Sequence, residues 1–135
     1  MQTEKDTQKI VLILVIEDEI LQLNLLSQQL TAKGYKVLKA KDGQEGLQLA
    51  FANKPDLILL DIVMPHLDGM TVMKKIREHD AWGKNVPIIL LTNLDTNEDR
   101  LKDITRDQPA YYLVKSEWSM DQVMEKIEER LHRKE

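Results

Sequence analysis

Cysteine is absent from this 135-residue chain, which excludes disulfides and thiolate metal sites. The absence fits a reducing cytosol. No unbroken apolar stretch exceeds the seven residues of IVLILVI (10–16), far short of a membrane span. The opening MQTEKDTQK is polar and lacks the apolar core of a signal peptide. Residues 1–8 are therefore expected to form a disordered tail, and the chain is expected in the cytoplasm. There is no Lys/Arg block or basic helix, and the formal net charge is -4, so a free-standing nucleic-acid binder is disfavoured. Internal repeats, low-complexity stretches and linkers are missing too. What is present suits one domain with one core: 42% hydrophobic and 31% charged residues.

The apolar residues are concentrated in short runs. IVLILVI is followed by Glu17 and Asp18, DLILLD (56–61) ends in Asp61, VPIILL (86–91) precedes Thr92, and YYLVK (111–115) ends in Lys115. Runs rich in Val, Ile and Leu read as strands buried on both faces of a parallel sheet. YKVLKA (35–40) alternates and reads as an edge strand. Between the strands lie helical patterns. Leu23, Leu26 and Leu30 mark a helix over about 18–33, ended by Gly34. Asp42-Gly43 predicts a turn before a short helix over 44–52, with Leu47 and Ala50 inward. Met70, Met73 and Ile76 share one face over about 67–79. Ser119 and Gln122 have capping-box spacing before Val123, Ile127 and Leu131. Five strand–helix units with right-handed crossovers imply an α/β, doubly wound five-stranded parallel sheet in the order 2-1-3-4-5. Residues 95–109 should hold the fourth helix, but Leu101 and Ile104 are their only large apolar residues. A short, mobile helix is expected there.

In such sheets the ligand site lies beyond the carboxyl ends of the strands. Glu17, Asp18, Asp61, Thr92 and Lys115 should thus converge. Three close carboxylates repel one another, and a divalent cation relieves that repulsion. Oxygen donors without His or Cys favour Mg2+ or Mn2+ over zinc. A lysine and a hydroxyl beside them complete a phosphoryl-transfer site, with Asp61 as nucleophile. Taken singly, each residue has a plainer reading. Asp18 is placed to cap a helix, Asp61 and Thr92 to cap or turn, and Lys115 to be solvated. Their coincidence at successive strand ends favours the site.

These residues fall within recognisable signatures. Leu60-Asp61-Ile62-Val63-Met64-Pro65-His66-Leu67-Asp68-Gly69 resembles the D-x-x-M-P-x-x-D-G segment of response-regulator receiver domains. Val15-Ile16-Glu17-Asp18-Glu19 resembles their acidic first loop, and Tyr112-Leu113-Val114-Lys115 their last strand. The resemblance implies a flavodoxin-like receiver domain over 9–133, here expected to stand alone. It implies Asp61 as phosphoacceptor, Asp18 as direct metal ligand, Glu17 acting through water, and a further metal oxygen from the Val63 backbone carbonyl. Thr92 and Lys115 would bind phosphoryl oxygens, and Tyr112 would change rotamer on activation. The implied cofactor is Mg2+ (or Mn2+). The implied phosphodonor is a sensor histidine kinase or phosphotransfer protein, and a downstream target protein would read the 95–115 face, with no nucleic acid or membrane partner. The domain would catalyse its own phosphotransfer and dephosphorylation.

Some residues depart from the family pattern. Ser116 follows Lys115 where receivers usually carry a cis proline, and a cis bond before serine costs about 3 kcal/mol; a trans bond is expected. Asn93 replaces a small residue, while Val63 and Leu94 give an apolar rim unable to orient water, so slow hydrolysis of the phosphorylated state is expected. Trp82 reads as surface packing, and Trp118 as a support for Lys115. Leu21 and Leu25 lie off the core stripe of the first helix. Partial burial beside the sheet is expected for them, against the alternative of a contact surface. Three other functions compete with the switch. A flavin or nucleotide binder on the same fold would need a Gly- or Ser/Thr-rich phosphate loop where Glu17-Asp18-Glu19 stand. An aspartate-nucleophile phosphatase would want an acid–base Asp at Val63. A phosphorylation-independent scaffold would have little need of the acceptor and metal ligands.

Overall fold

The computed structural model describes residues 10–92, 111–114 and 119–132, with the backbone alone at 92 and 111–114. Five parallel strands form one sheet: β1 (Leu12–Ile16), β2 (Lys36–Ala40), β3 (Leu57–Asp61), β4 (Ile88–Thr92) and β5 (Tyr111–Val114). Their spatial order is β2-β1-β3-β4-β5, as the alternation of apolar runs and helical patterns predicts. The helices are α1 (Ile20–Ala32), α2 (Gly43–Asn53), α3 (Gly69–Arg77), α4 (Ala81–Asn85) and α5 (Met120–Leu131).

Side-chain alternation along each strand divides the core into two layers. Leu14, Ile16, Ile58, Leu60, Ile88 and Leu90 pack with Ala50 of α2 and with Val72, Met73 and Ile76 of α3. Ile13, Val15, Leu57, Leu59, Ile89 and Leu91 pack with Leu23, Leu26 and Leu30 of α1 and with Val123 and Ile127 of α5. Burying each such side chain contributes about 1.5–3 kcal/mol. β1, β3 and β4 are covered on both faces, which explains their unbroken apolar sequences. Edge strand β2 is partly exposed except at Ala40.

Helix ends follow the sequence signals closely. Gly34 adopts φ +97 just beyond α1, the left-handed conformation that glycine supplies without penalty. The Asp42 carboxylate accepts from Glu45 N at 2.8 Å and caps α2, so Gly43 sits in the first helical turn and not in a separate turn. The Asp68 carboxylate accepts from Thr71 N at 2.9 Å and caps α3. Ser119 and Gln122 form the full capping box of α5.

Helix α4 was not anticipated. Asp80 caps it through Gly83 N at 2.8 Å, and Arg77 donates to the carbonyls of Gly83 and Val86 at 2.9 and 2.7 Å. A five-residue helix is too short for apolar periodicity to reveal. Trp82 is more than surface packing: it packs against the core, and its Nε1 donates to the Pro55 carbonyl at 3.0 Å.

A second correction concerns α1. Leu21 and Leu25 are 80% and 44% exposed, and Ile20 is 53% exposed, so the expected partial burial is not found. The sheet contact is already filled by Leu23, Leu26 and Leu30. The expectations for the 1–8 tail, the 95–109 segment, Asn93, Leu94, the Lys115–Ser116 bond and Trp118 lie outside the described residues. No helix among those described is long and apolar enough to cross a membrane.

Candidate functional site

Parallel pairing sets the site by register. Ile16 lies beside Leu60, so the chain leaves β1 at Glu17 level with Asp61 at the end of β3. Asp61 in turn lies beside Leu91, placing Thr92 one residue further along β4. Thr92 pairs with Val114, the residue before Lys115, and Tyr112 pairs with Leu90. The side chains of Thr92 and Tyr112, and Lys115 as a whole, lie outside the described residues.

Glu17, Asp18 and Asp61 converge. One carboxylate oxygen from each lies within 4.8 Å of the others. Glu17 is 2% exposed and Asp61 7%, while Asp18 is open to solvent. Glu17 is held at both ends: its backbone N donates to the Ala40 carbonyl at 3.0 Å, and its Oε2 accepts from Glu19 N at 3.1 Å. Asp18 does not cap α1; Glu19 occupies that position and makes no side-chain capping bond. The helix-cap reading of Asp18 is thereby removed.

The loop after β3 folds tightly around the acceptor position. Asp61 Oδ1 accepts from Val63 N at 3.3 Å. Ile62 N donates to the Leu91 carbonyl at 3.2 Å, and Gly69 N donates to the Ile62 carbonyl at 2.8 Å. A Cβ at Gly69 would collide with the carbonyl oxygen of Asp61 and approach Ile62 Cα to 2.8 Å. Glycine is thus required where α3 begins against the end of β3. Neither the helical pattern over 67–79 nor the Asp68-Gly69 signature reveals this contact in the sequence. His66 takes a left-handed φ of +69 at the turn of the loop. Val63 is 47% exposed at the rim.

The donor set fits a hard cation: three carboxylates, with no imidazole or thiolate. Glu17, Asp18 and Asp61, each with a carboxylate oxygen within 4.8 Å of the others, would hold such an ion directly or through water.

Comparison with known proteins gives a consistent result. A family model described as "Response regulator receiver domain" matches residues 13–128. The chain is 40% identical over 92 residues to the response regulator PleD of Caulobacter vibrioides, which covers 68% of this chain and 20% of PleD. It is 36% identical over 89 residues to the protein PilH of Pseudomonas aeruginosa, covering 66% of this chain and 73% of PilH. Among solved structures, a chain of the CheX–CheY–BeF3–Mg2+ complex from Borrelia burgdorferi superposes with a TM-score of 0.82 at 26% identity, over 96% of each chain. The chain spans about a fifth of the length of PleD.

Proposed function

The chain belongs to the response regulator receiver family, the phosphorylation-activated signalling switches of two-component systems, and on that premise we propose that Asp61 is its phosphoacceptor. The convergence of Glu17, Asp18 and Asp61 is the observation that carries this reading. A carboxylate oxygen of Asp61 attacks the phosphorus of a phosphohistidine on a sensor histidine kinase or phosphotransfer protein. The O–P bond forms as the P–N bond breaks, and the imidazole nitrogen keeps the electron pair. The product is an acyl phosphate. Hydrolysis later returns the carboxylate and inorganic phosphate. The domain's own residues promote both steps.

Glu17, Asp18, Asp61 and the Val63 carbonyl would hold Mg2+ (or Mn2+), which supplies neutralising charge to the phosphoryl oxygens when bound. Asp18, open to solvent, would be the direct carboxylate ligand, and buried Glu17 would act through water. Val63 N, bonded to Asp61 Oδ1, keeps that carboxylate oriented. Thr92 and Lys115 bind the phosphoryl oxygens from the neighbouring strand ends. Val63 leaves no acid–base carboxylate two residues after Asp61, which supports a switch over a phosphatase.

A phosphoryl group adds roughly two negative charges. Thr92 moves towards them, Tyr112 turns into the space released, and the 95–115 face changes for a downstream target protein. NMR spectra with Mg2+ and beryllofluoride test this. The largest shifts are expected across 92–115, and changes confined to 61–69 would refute the switch.

A further inference from the structure

Strand β2 forms one edge of the sheet, and no described strand pairs with its outer side. Lys36 N donates to the Val11 carbonyl at 2.9 Å, and the Ala40 carbonyl accepts from Glu17 N at 3.0 Å, so these residues turn their peptide groups towards β1. Peptide groups alternate along a strand, so Val37 and Lys39 turn theirs outwards. The N–H groups on either side of this stretch are occupied. Tyr35 N donates to the Leu30 carbonyl at 3.2 Å, and Lys41 N donates to Glu45 Oε1 at 2.9 Å. Val37 and Lys39 between them present the kind of open ladder that a further strand completes.

Beside this edge lies an open groove of about 530 Å³ between α1 and β2. Asn24, Gln28 and Thr31 line it from the helix, and Val37 and Lys39 from the strand. Lys39 Nζ donates across it to Asn24 Oδ1 at 3.3 Å. The surrounding charge has one sign. Residues 20–41 carry Lys33, Lys36, Lys39 and Lys41, all exposed, and no other charged residue, in a chain of net charge -4. Lysines on an edge strand repel strands like themselves, so they refuse a second β2 and favour an acidic strand. A nucleic acid would satisfy the charge, but it has no peptide groups to offer Val37 and Lys39.

We propose that the β2 edge accepts an extended acidic segment of a partner protein as a sixth strand. Its main chain pairs with the outward peptide groups of Val37 and Lys39. Alternate side chains face the groove, where carboxylates meet Lys39, Asn24, Gln28 and Thr31. The side chains between them are apolar and lie on the other face, beside partly buried Leu38. Main-chain pairing supplies affinity in such a contact, and the alternate side chains supply specificity.

Fluorescence anisotropy tests this with a labelled peptide of about ten residues that alternates glutamate and valine. The wild type is expected to bind it below about 1 mM, and more weakly as salt rises. Binding should slow hydrogen exchange at the Val37 and Lys39 amides. Lys39→Glu should weaken binding about fivefold or more, with an unchanged melting temperature. A fully N-methylated copy of the peptide keeps its charge but loses its donors, and it should bind at least about tenfold more weakly. No binding by about 1 mM overturns the proposal. So does equal binding of the N-methylated copy, unchanged exchange at both amides, or undiminished affinity in Lys39→Glu. An oligothymidylate that displaces the peptide and binds more tightly also overturns it, since the lysines then serve a nucleic acid.

Discussion

Replacing Asp18 by Asn removes one charge from the carboxylate cluster while keeping the side chain's size and its oxygen. Its carboxylate oxygen lies within 4.8 Å of those of Glu17 and Asp61. At that separation two unit charges repel by about 0.9 kcal/mol in water and about 3.5 kcal/mol at an effective dielectric constant of 20. Asp18 is exposed, so the lower value governs, and the two pairs together give about 1–2 kcal/mol. For 135 residues each kcal/mol moves the melting temperature by roughly 3–5 °C. The variant should therefore melt roughly 3–10 °C above wild type when EDTA is present. The order should narrow or reverse with Mg2+. An ion at ten times its dissociation constant adds about 1.4 kcal/mol to wild type, and little to a variant lacking the exposed ligand. Differential scanning fluorimetry in EDTA and across a Mg2+ titration measures both effects. A variant that melts at or below wild type in EDTA, with equal Mg2+ gains in both proteins, would refute the reasoning.

Gly69→Ala forces a methyl group onto the Asp61 carbonyl, and such overpacking costs about 1–3 kcal/mol. Urea unfolding should show that loss, together with slower phosphorylation by acetyl phosphate; wild-type behaviour in both would remove the proposed role of the β3–α3 contact. The Gly83 N–H and then Lys54 hold the Asp80 carboxyl below its ordinary range, so the folded state favours the ionised form. That stabilisation is present above the ordinary carboxylate range and lost as pH falls through the depressed folded value. The stability difference between wild type and Asp80→Asn should thus be flat near neutrality and shrink in acid, and a difference constant into acid would contradict it. Val63 presents an apolar, half-exposed side chain beside Asp61, so it cannot orient an attacking water. A phosphate-release assay should show a long-lived acyl phosphate, and loss within seconds would count against this role.

Strand order and the acidic site were legible because the same residues encode both. A strand covered on both faces must be continuously apolar, so the first polar residue after it marks the end where parallel strands open their site. Glu17 and Asp61 stand at such ends, and pairing brings them level. The cap at Ser119 was readable for a related reason, since it satisfies orphan N–H groups within three residues of itself, whereas Asp42 read only as a turn and the capping role of Asp68 was not read. Other features depend on contacts between distant segments. Helix α4 exists because Arg77 and Asp80 bind its ends, and Trp82 reaches back to Pro55. Gly69 is required by the Asp61 carbonyl, a constraint its own neighbours do not express. The exposure of Leu21 and Leu25 was misjudged because a leucine-rich helix offers more apolar surface than the sheet can cover, and sequence alone does not say which leucines are left over.

The central claim is that Asp61 carries the phosphoryl group. Intact mass spectrometry after incubation with acetyl phosphate and Mg2+ tests it most directly, comparing wild type with Asp61→Asn and repeating both in EDTA. The account predicts a single added phosphoryl mass in the wild type with Mg2+, and none in the variant or without the metal. Equal labelling of Asp61→Asn, or no labelling of the wild type, would contradict it.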